Sequence, residues 1–170
     1  MLRAKRLLSY GLLVLGIAMV VPALGSAKPP AKSPVAFPLP IPIPDLNPAA
    51  LVYKTPDQIK WTESPNGSAL AVLYGNPDKP GLYIVLTKWH AHHNSRPHFH
   101  PHDRFITVLS GTWWVNTGPK YDMDHAVPMP VGSFVTHFAK QIHYDGAKDG
   151  DAVLEIVGEG PATAIDAEQK

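Results

Sequence analysis

The chain has 170 residues, a length typical of a single domain. Residues 1–27 carry three of its 15 Lys and Arg and none of its 14 Asp and Glu, so the remainder is slightly acidic, with a net charge of −2. That remainder lacks the basic surface that neutralises phosphates, which argues against a nucleic acid as partner. The chain has no cysteine, which excludes disulfides and a cysteine-linked lipid anchor.

The first 27 residues have the pattern of an export signal. Three basic residues precede the apolar segment Leu7–Val21, and Gly25-Ser26-Ala27 supplies small residues for cleavage after Ala27. The apolar segment is shorter than the ~20 residues that a membrane-spanning helix needs. We therefore expect a periplasmic or secreted protein with no membrane attachment after cleavage, rather than one with a retained anchor.

Residues 28–48 are rich in proline, which fixes φ and removes a backbone donor. This composition predicts an extended, polyproline-like linker or arm. Phe37, Leu39, Ile41 and Ile43 alternate with prolines, and such a segment could dock on the domain or on a second subunit of a homodimer. A plain linker is the alternative.

Residues 49–165 predict one all-β domain, followed by a tail at 166–170. Short runs rich in β-branched and aromatic residues alternate with Gly, Pro, Asn and Asp turns, which is typical of a barrel or sandwich. Ser110-Gly111 reads as a two-residue hairpin loop between two of the strands. The predicted strands are Leu70–Tyr74, Leu82–Trp89, Phe105–Leu109, Thr112–Val115, Ser133–Phe138 and Ala152–Val157.

His98 and His100 are the strongest candidates for chemistry among nine histidines. In an extended strand, residues i and i+2 point to the same face, so the two imidazoles would lie side by side and could bind one divalent ion. His90, His92, His93 and His125 are expected to be solvated or structural. His143, judged from its local sequence, is an ordinary partly buried histidine.

The segment HFHPHDRFITVLSGTW resembles the first sequence motif of the cupin superfamily, and is most similar to small exported cupin-domain proteins. That motif is Gly, five residues, His-x-His, three or four residues, Glu, six residues, Gly. Here His98, His100 and Gly111 fit the frame, Arg104 stands at the glutamate position, and His92 stands at the leading glycine. In the second motif, Gly132 and His143 match. Phe138, Lys140 and Ala147 replace its Pro, Gly and Asn.

The resemblance implies a single-domain cupin-type β-barrel, a jelly-roll-like double-stranded β-helix, with His98, His100 and His143 as metal ligands. Because arginine has no lone pair to give a metal, Arg104 cannot replace the glutamate. In one arrangement three histidines hold the ion and Arg104 binds a substrate carboxylate. In a second, the pocket binds an organic ligand without metal. In a third, Asp103 or His102 replaces the glutamate.

These observations predict an exported protein that binds one divalent metal ion (iron, manganese, zinc or nickel) and a small, anionic molecule. Dioxygenase-like chemistry on that molecule is one interpretation. A non-catalytic cupin that senses or binds a ligand or metal is the other. The sequence leaves open which of the two holds, and so whether the protein is an enzyme, because one barrel fold supports many activities.

Overall fold

The computed structural model describes residues 46–169. The predicted export signal at 1–27 and residues 28–45 of the predicted proline-rich arm lie outside the described residues. Residues 46–169 contain eleven strands in two antiparallel sheets and one short 3-10 helix, Pro56–Gln58. Within this range, no helix has the length and apolar character needed to cross a bilayer.

The strands are β1 Thr62–Ser64, β2 Ser68–Tyr74, β3 Gly81–Trp89, β4 His98–Phe99, β5 Arg104–Ser110, β6 Thr112–Thr117, β7 Val127–Pro130, β8 Phe134–His137, β9 His143–Gly146, β10 Ala152–Gly160 and β11 Ile165–Asp166. The larger sheet has six strands in the order β1-β2-β3-β10-β5-β8, and the smaller has five in the order β11-β4-β9-β6-β7. The prediction of an all-β domain is therefore confirmed.

The core lies between the two sheets. Along β10, Ala152, Leu154 and Ile156 are buried, while the residues between them are half-buried, as expected for a strand with one face on the core. Ile106 and Val108 of β5 are also buried. Arg104 has the same parity in β5, and so its side chain starts from the inner face of the large sheet.

The predicted hairpin at Ser110-Gly111 is wrong. β5 pairs with β10 and β8 in the large sheet, whereas β6 pairs with β9 and β7 in the small one. Gly111 has a φ of +73°, and a Cβ there would lie 2.0 Å from the carbonyl oxygen of Asp151. The glycine therefore carries the chain from one sheet to the other through a space that admits no side chain.

Two residues other than glycine have a left-handed backbone within the described range, His92 with φ 65° and Lys140 with φ 62°. Both stand where the motifs quoted above have glycine. At both positions the side chain is therefore carried on a backbone conformation that glycine adopts at lower steric cost.

The segment that follows β10 returns to the small sheet. In β11, Ile165 pairs with Phe99 and Asp166 with His98. The amide of Ala167 donates to the carbonyl of Pro97, and Arg96 forms an ion pair with Glu168. The region expected to be a tail from residue 166 thus begins inside a strand that borders β4.

Candidate metal centre

His98, His100 and His143 lie together on the small sheet. His98 in β4 is the direct cross-strand partner of His143 in β9. One ring nitrogen from each of the three lies within 4.8 Å of the others, and the Nε2 atoms of His98 and His100 are 3.2 Å apart. His100 and His143 are buried and His98 is half-buried.

Backbone carbonyls orient all three rings. Nδ1 of His98 lies 2.7 Å from the carbonyl oxygen of Arg96. The corresponding distances are 2.9 Å from His100 to the carbonyl oxygen of Thr163 and 3.0 Å from His143 to that of Gln141. A carbonyl only accepts, so each Nδ1 carries the proton and donates it. In the neutral imidazole, each Nε2 then keeps its lone pair.

Burial keeps the two inner rings neutral. It lowers the pKa of His143 to about 4 and that of His100 to about 3, with the positive charge of Arg104 adding to the effect on His100. The buried Nε2 of His143 has no hydrogen-bond partner. Three imidazoles with converging Nε2 atoms, each oriented by an outer-shell carbonyl, fit a divalent metal ion.

Arg104 reaches this group of rings from the large sheet. Its Nη1 contacts Nε2 of His100, and the residue is half-buried. His100 Nε2 has one lone pair, which can accept a hydrogen bond from Arg104 or bind a metal ion, but not both at once. The two residues that could have replaced the missing glutamate ligand do not contact the three rings. His102 and Asp103 are exposed, and Oδ1 of Asp103 accepts a hydrogen bond from the amide of Ala139 at 2.7 Å.

Sequence reasoning missed His137, which is buried beside the three histidines. Its ring centroid lies 3.7 Å from that of His143 and 5.4 Å from that of Trp113. Burial, with the neighbouring His143, lowers the pKa of His137 to about 2, and its Nδ1 has no hydrogen-bond partner. Its position next to the site depends on the pairing of β8 with β5, which no local pattern signals.

Asp145 is a second residue that was missed. Its Oδ2 accepts the indole N–H of Trp113 at 2.7 Å and of Trp89 at 3.0 Å, and its Oδ1 accepts the hydroxyl of Ser95 at 2.9 Å. Burial raises the pKa of Asp145, but the neighbouring histidines and the Trp113 donor outweigh it and lower the pKa below the usual value. A signal existed in the sequence, because Asp145 stands two residues after His143 in one strand.

A cavity of about 500 Å³ opens between the sheets at this site. His98, Arg104 and Asp145 line it together with Thr87, Asn94 and Ile156, so its wall combines charged, polar and apolar groups. A small polar molecule in this cavity would lie against both His98 and Arg104.

None of the other five histidines lines the cavity, and four of them were predicted to be solvated or structural, namely His90, His92, His93 and His125. His90 bonds to Glu63 at 2.9 Å, which raises its pKa, and His125 bonds to Asp122 at 2.7 Å. His92 and His93 are exposed.

No protein-family model matches this chain, and neither does any curated protein sequence. Solved structures do match. The polyketide cyclase RemF from Streptomyces resistomycificus has a TM-score of 0.59 at 14% identity, over 71% of this chain and 87% of its own. A double-stranded β-helix protein from Klebsiella pneumoniae subsp. pneumoniae has a TM-score of 0.52 at 18% identity, over 69% and 97%. An RmlC-like cupin from Shewanella frigidimarina has a TM-score of 0.52 at 15% identity, over 64% and 90%. At these identities the likeness establishes a shared fold.

Proposed function

We propose that this chain, which has the double-stranded β-helix fold of the cupins, binds one divalent metal ion through Nε2 of His98, His100 and His143. The observation that carries the proposal is the common arrangement of the three rings. Each donates Nδ1–H to a backbone carbonyl and leaves its Nε2 lone pair toward the others. Nitrogen ligands of this type suit iron, nickel and zinc, and manganese is a further candidate.

A site with three protein ligands leaves coordination positions open for water or a ligand, as in catalytic zinc sites. When bound, the ion would supply Lewis-acid polarisation or activation of water. The protein contributes the orientation of the three imidazoles and the exclusion of bulk water around His100 and His143. Dioxygenase-like chemistry is one use of such a centre.

We assign Arg104 the recognition of a small anionic molecule. Its guanidinium lines the same cavity as His98, and a planar guanidinium binds a carboxylate through two parallel hydrogen bonds. Acidic ligands should therefore bind more tightly than neutral isosteres. Equal affinity for the two would remove this role.

A non-catalytic binding or sensing protein is the second candidate. The contact between Arg104 and Nε2 of His100 favours it, because the guanidinium and a metal ion would compete for the same lone pair. An enzyme should form product with an iron- or manganese-loaded site. A binding protein should take up one equivalent of ligand and release it unchanged.

Metal analysis of untagged protein tests the proposal. We expect about one ion per chain, lost in His143→Ala and His98→Ala and retained in His102→Ala, which removes an exposed histidine near the site. Isothermal titration with zinc gives the affinity of each variant. Wild-type protein that binds no divalent ion, or His143→Ala protein that binds it equally well, would refute the proposal.

Arg104→Glu tests the position next to His100. It exchanges a competing cation for a carboxylate that can ligate the ion, so metal binding should become at least tenfold tighter. Arg104→Gln separates the loss of positive charge from the gain of a ligand. Unchanged affinity in both variants would show that Arg104 does not act at the metal site.

We also propose export through the signal at residues 1–27. The basic, apolar and small-residue regions support it. N-terminal sequencing of protein recovered from the periplasm or medium should begin at Lys28. A cell-associated chain that begins at Met1 would contradict cleavage.

A further inference from the structure

A row of polar side chains crosses the large sheet beside the three histidines. Tyr83 in β3, Gly158 in β10, Arg104 in β5 and His137 in β8 are neighbours in register across four adjacent strands. Three of them have a buried polar atom without a hydrogen-bond partner: the Tyr83 hydroxyl, Arg104 Nε and His137 Nδ1. Among the described residues the one other such atom is Nε2 of His143, in the metal centre itself. Unsatisfied polar atoms are thus concentrated at one place in the molecule.

Tyr83 is the most informative member of the row. Its side chain is 1% exposed, yet its hydroxyl has no partner. A buried donor without an acceptor destabilises the fold, and most proteins avoid it. Gly158 permits this placement, because a Cβ there would lie 2.5 Å from the hydroxyl oxygen. The Tyr83 ring therefore extends across β10 toward Arg104 on the next strand.

We infer that Tyr83, Arg104 and His137 form the subsite that binds a carboxylate, or an oxyanion of similar shape, on the ligand. This inference rests on the proposed function and extends it from Arg104 to the whole row. The Nε–H of Arg104 can only donate, and the Tyr83 hydroxyl can donate, so both are satisfied by a group that only accepts. An anionic oxygen is such a group, and hydrogen bonds to it are charge-assisted.

Metal loading should complete this subsite. Nη1 of Arg104 donates to the Nε2 lone pair of His100 that the ion would take. Once the ion holds His100, Arg104 has a further free donor for the carboxylate. By linkage, carboxylate and metal should each tighten the binding of the other.

The experiment compares acetate with the neutral isostere acetamide by titration of the full chain, with and without zinc. Wild-type protein should prefer acetate, and zinc should strengthen that preference. Tyr83→Phe keeps the ring over Gly158 and removes the hydroxyl. It should weaken acetate binding about tenfold, which corresponds to one lost hydrogen bond to a charged group. Zinc affinity measured without acetate should stay unchanged, acetamide binding should weaken less than acetate binding because its oxygen is uncharged, and stability to urea should hold or rise.

Tyr144→Phe is the matched control. Tyr144 is equally buried, but its hydroxyl donates to the Lys120 carbonyl at 3.0 Å and accepts the Asp122 amide at 2.8 Å. This variant should lose stability to urea and keep its acetate affinity. The inference is overturned if Tyr83→Phe binds acetate like wild type, which is also the result expected if an ordered water satisfies the hydroxyl. Equal binding of acetate and acetamide by wild type would overturn it as well.

Failure of the metal proposal has a different signature. If wild-type protein binds no zinc, the proposed function fails, and the zinc-free titrations still test the subsite. A loss of acetate affinity in zinc-free Tyr83→Phe protein would support the subsite by itself. An unchanged affinity there would reject it.

Discussion

At the scale of single residues, Asp145 carries a negative charge into the protein interior near His98, His137 and His143. Two indole N–H groups and one hydroxyl hold it, and none of these donors is charged. A buried carboxylate with three hydrogen bonds stays ionised, and here it balances positive charge that a metal ion and Arg104 would place nearby. Asp145 thereby supplies a carboxylate near the centre without being one of its three candidate ligands.

We expect Asp145→Asn to lower the free energy of unfolding by about 2–3 kcal/mol, because the amide replaces one acceptor oxygen with a donor that faces Trp89, Trp113 or Ser95. Urea denaturation followed by tryptophan fluorescence measures this change. Asp149→Asn, at an exposed position, is the control and should change stability by less than about 0.5 kcal/mol. A loss as small as that of the control would mean that the Asp145 charge contributes little.

The buried histidines predict acid sensitivity of the metal-free protein. His100, His137 and His143 have pKa values of about 3, 2 and 4 when folded, against about 6.5 when unfolded. The unfolded chain therefore binds more protons below pH 6.5. The stability present above that pH should be lost as the pH falls toward 4, by up to about 1.4 kcal/mol per pH unit for each histidine.

Urea denaturation in EDTA between pH 7.5 and 4.5 checks this expectation. His137→Phe should flatten the dependence on pH, since it removes one group whose pKa differs between the two states. His102→Gln changes an exposed histidine outside this buried group and is the control for histidine removal. A wild-type stability that is constant across this range would contradict the burial of neutral histidines.

Single-residue prediction succeeded where the chemistry was local. The i and i+2 spacing put His98 and His100 on one face, and their Nε2 atoms are 3.2 Å apart. His143 was associated with them by the resemblance, since its own neighbours carry no signal. Tyr83 and His137 reach the site through pairing of strands far apart in sequence, and a pattern confined to one segment cannot reveal such pairing. Asp145 differs, because its spacing of two residues from His143 in one strand was a local signal.

At the scale of elements, turns decide which sheet each strand joins. Gly111 ends β5 and sends the chain to the opposite sheet, although Ser-Gly between two apolar runs is also typical of a hairpin. Turn residues specify a local backbone shape, and the sheet that accepts the next strand is chosen by burial of its face. The bounds of all six predicted strands lie within three residues of the observed bounds. The predicted pairing of the two strands on either side of Ser110-Gly111 is wrong, because they belong to different sheets.

Short strands escaped prediction for a related reason. β7 reads Val127–Pro130, VPMP, and its two prolines argue against a strand. The structure places it at the edge of the small sheet, where a missing backbone donor is tolerated. β4, with two residues, is too short for any periodicity, and yet it carries His98.

The left-handed backbone at Lys140 predicts a stabilising substitution. Lys140→Gly should raise the free energy of unfolding by about 0.5–1 kcal/mol, because glycine adopts positive φ without the steric cost of a Cβ. The backbone bond from the Lys140 amide to the His100 carbonyl, 2.8 Å, is kept. Lys120→Gly, at an exposed position with negative φ, should destabilise instead. If both variants lose stability equally, the φ at residue 140 is not the limiting factor.

At the scale of the whole molecule, the two sheets contribute different parts of the site. The small sheet and its flanking loops hold the candidate metal ligands, and the large sheet presents Tyr83, Arg104 and His137 across the gap. The segment after β10 joins the two parts, since Thr163 orients His100 and β11 borders His98. Cζ of Arg96 lies 3.6 Å from the centroid of the Tyr121 ring. Arg96 also forms an ion pair with Glu168, which holds this segment against the small sheet.

Shortening the chain tests that connection. A chain that ends at Ala162 loses both β11 and the carbonyl partner of His100, and we expect its zinc affinity to fall 10–100-fold, as for other outer-shell losses. A chain that ends at Asp166 keeps both and should bind zinc nearly as well as the full chain. Circular dichroism establishes that both variants are folded. Equal affinity in the two would mean that Thr163 does not orient His100.

The hydrogen bond from His100 to Thr163 spans 63 positions of sequence. During translation, the ribosome releases both early histidines well before the residue that aligns one of them. The alignment of His100 is therefore completed only after residue 163 has been synthesised and the segment after β10 has packed beside β4.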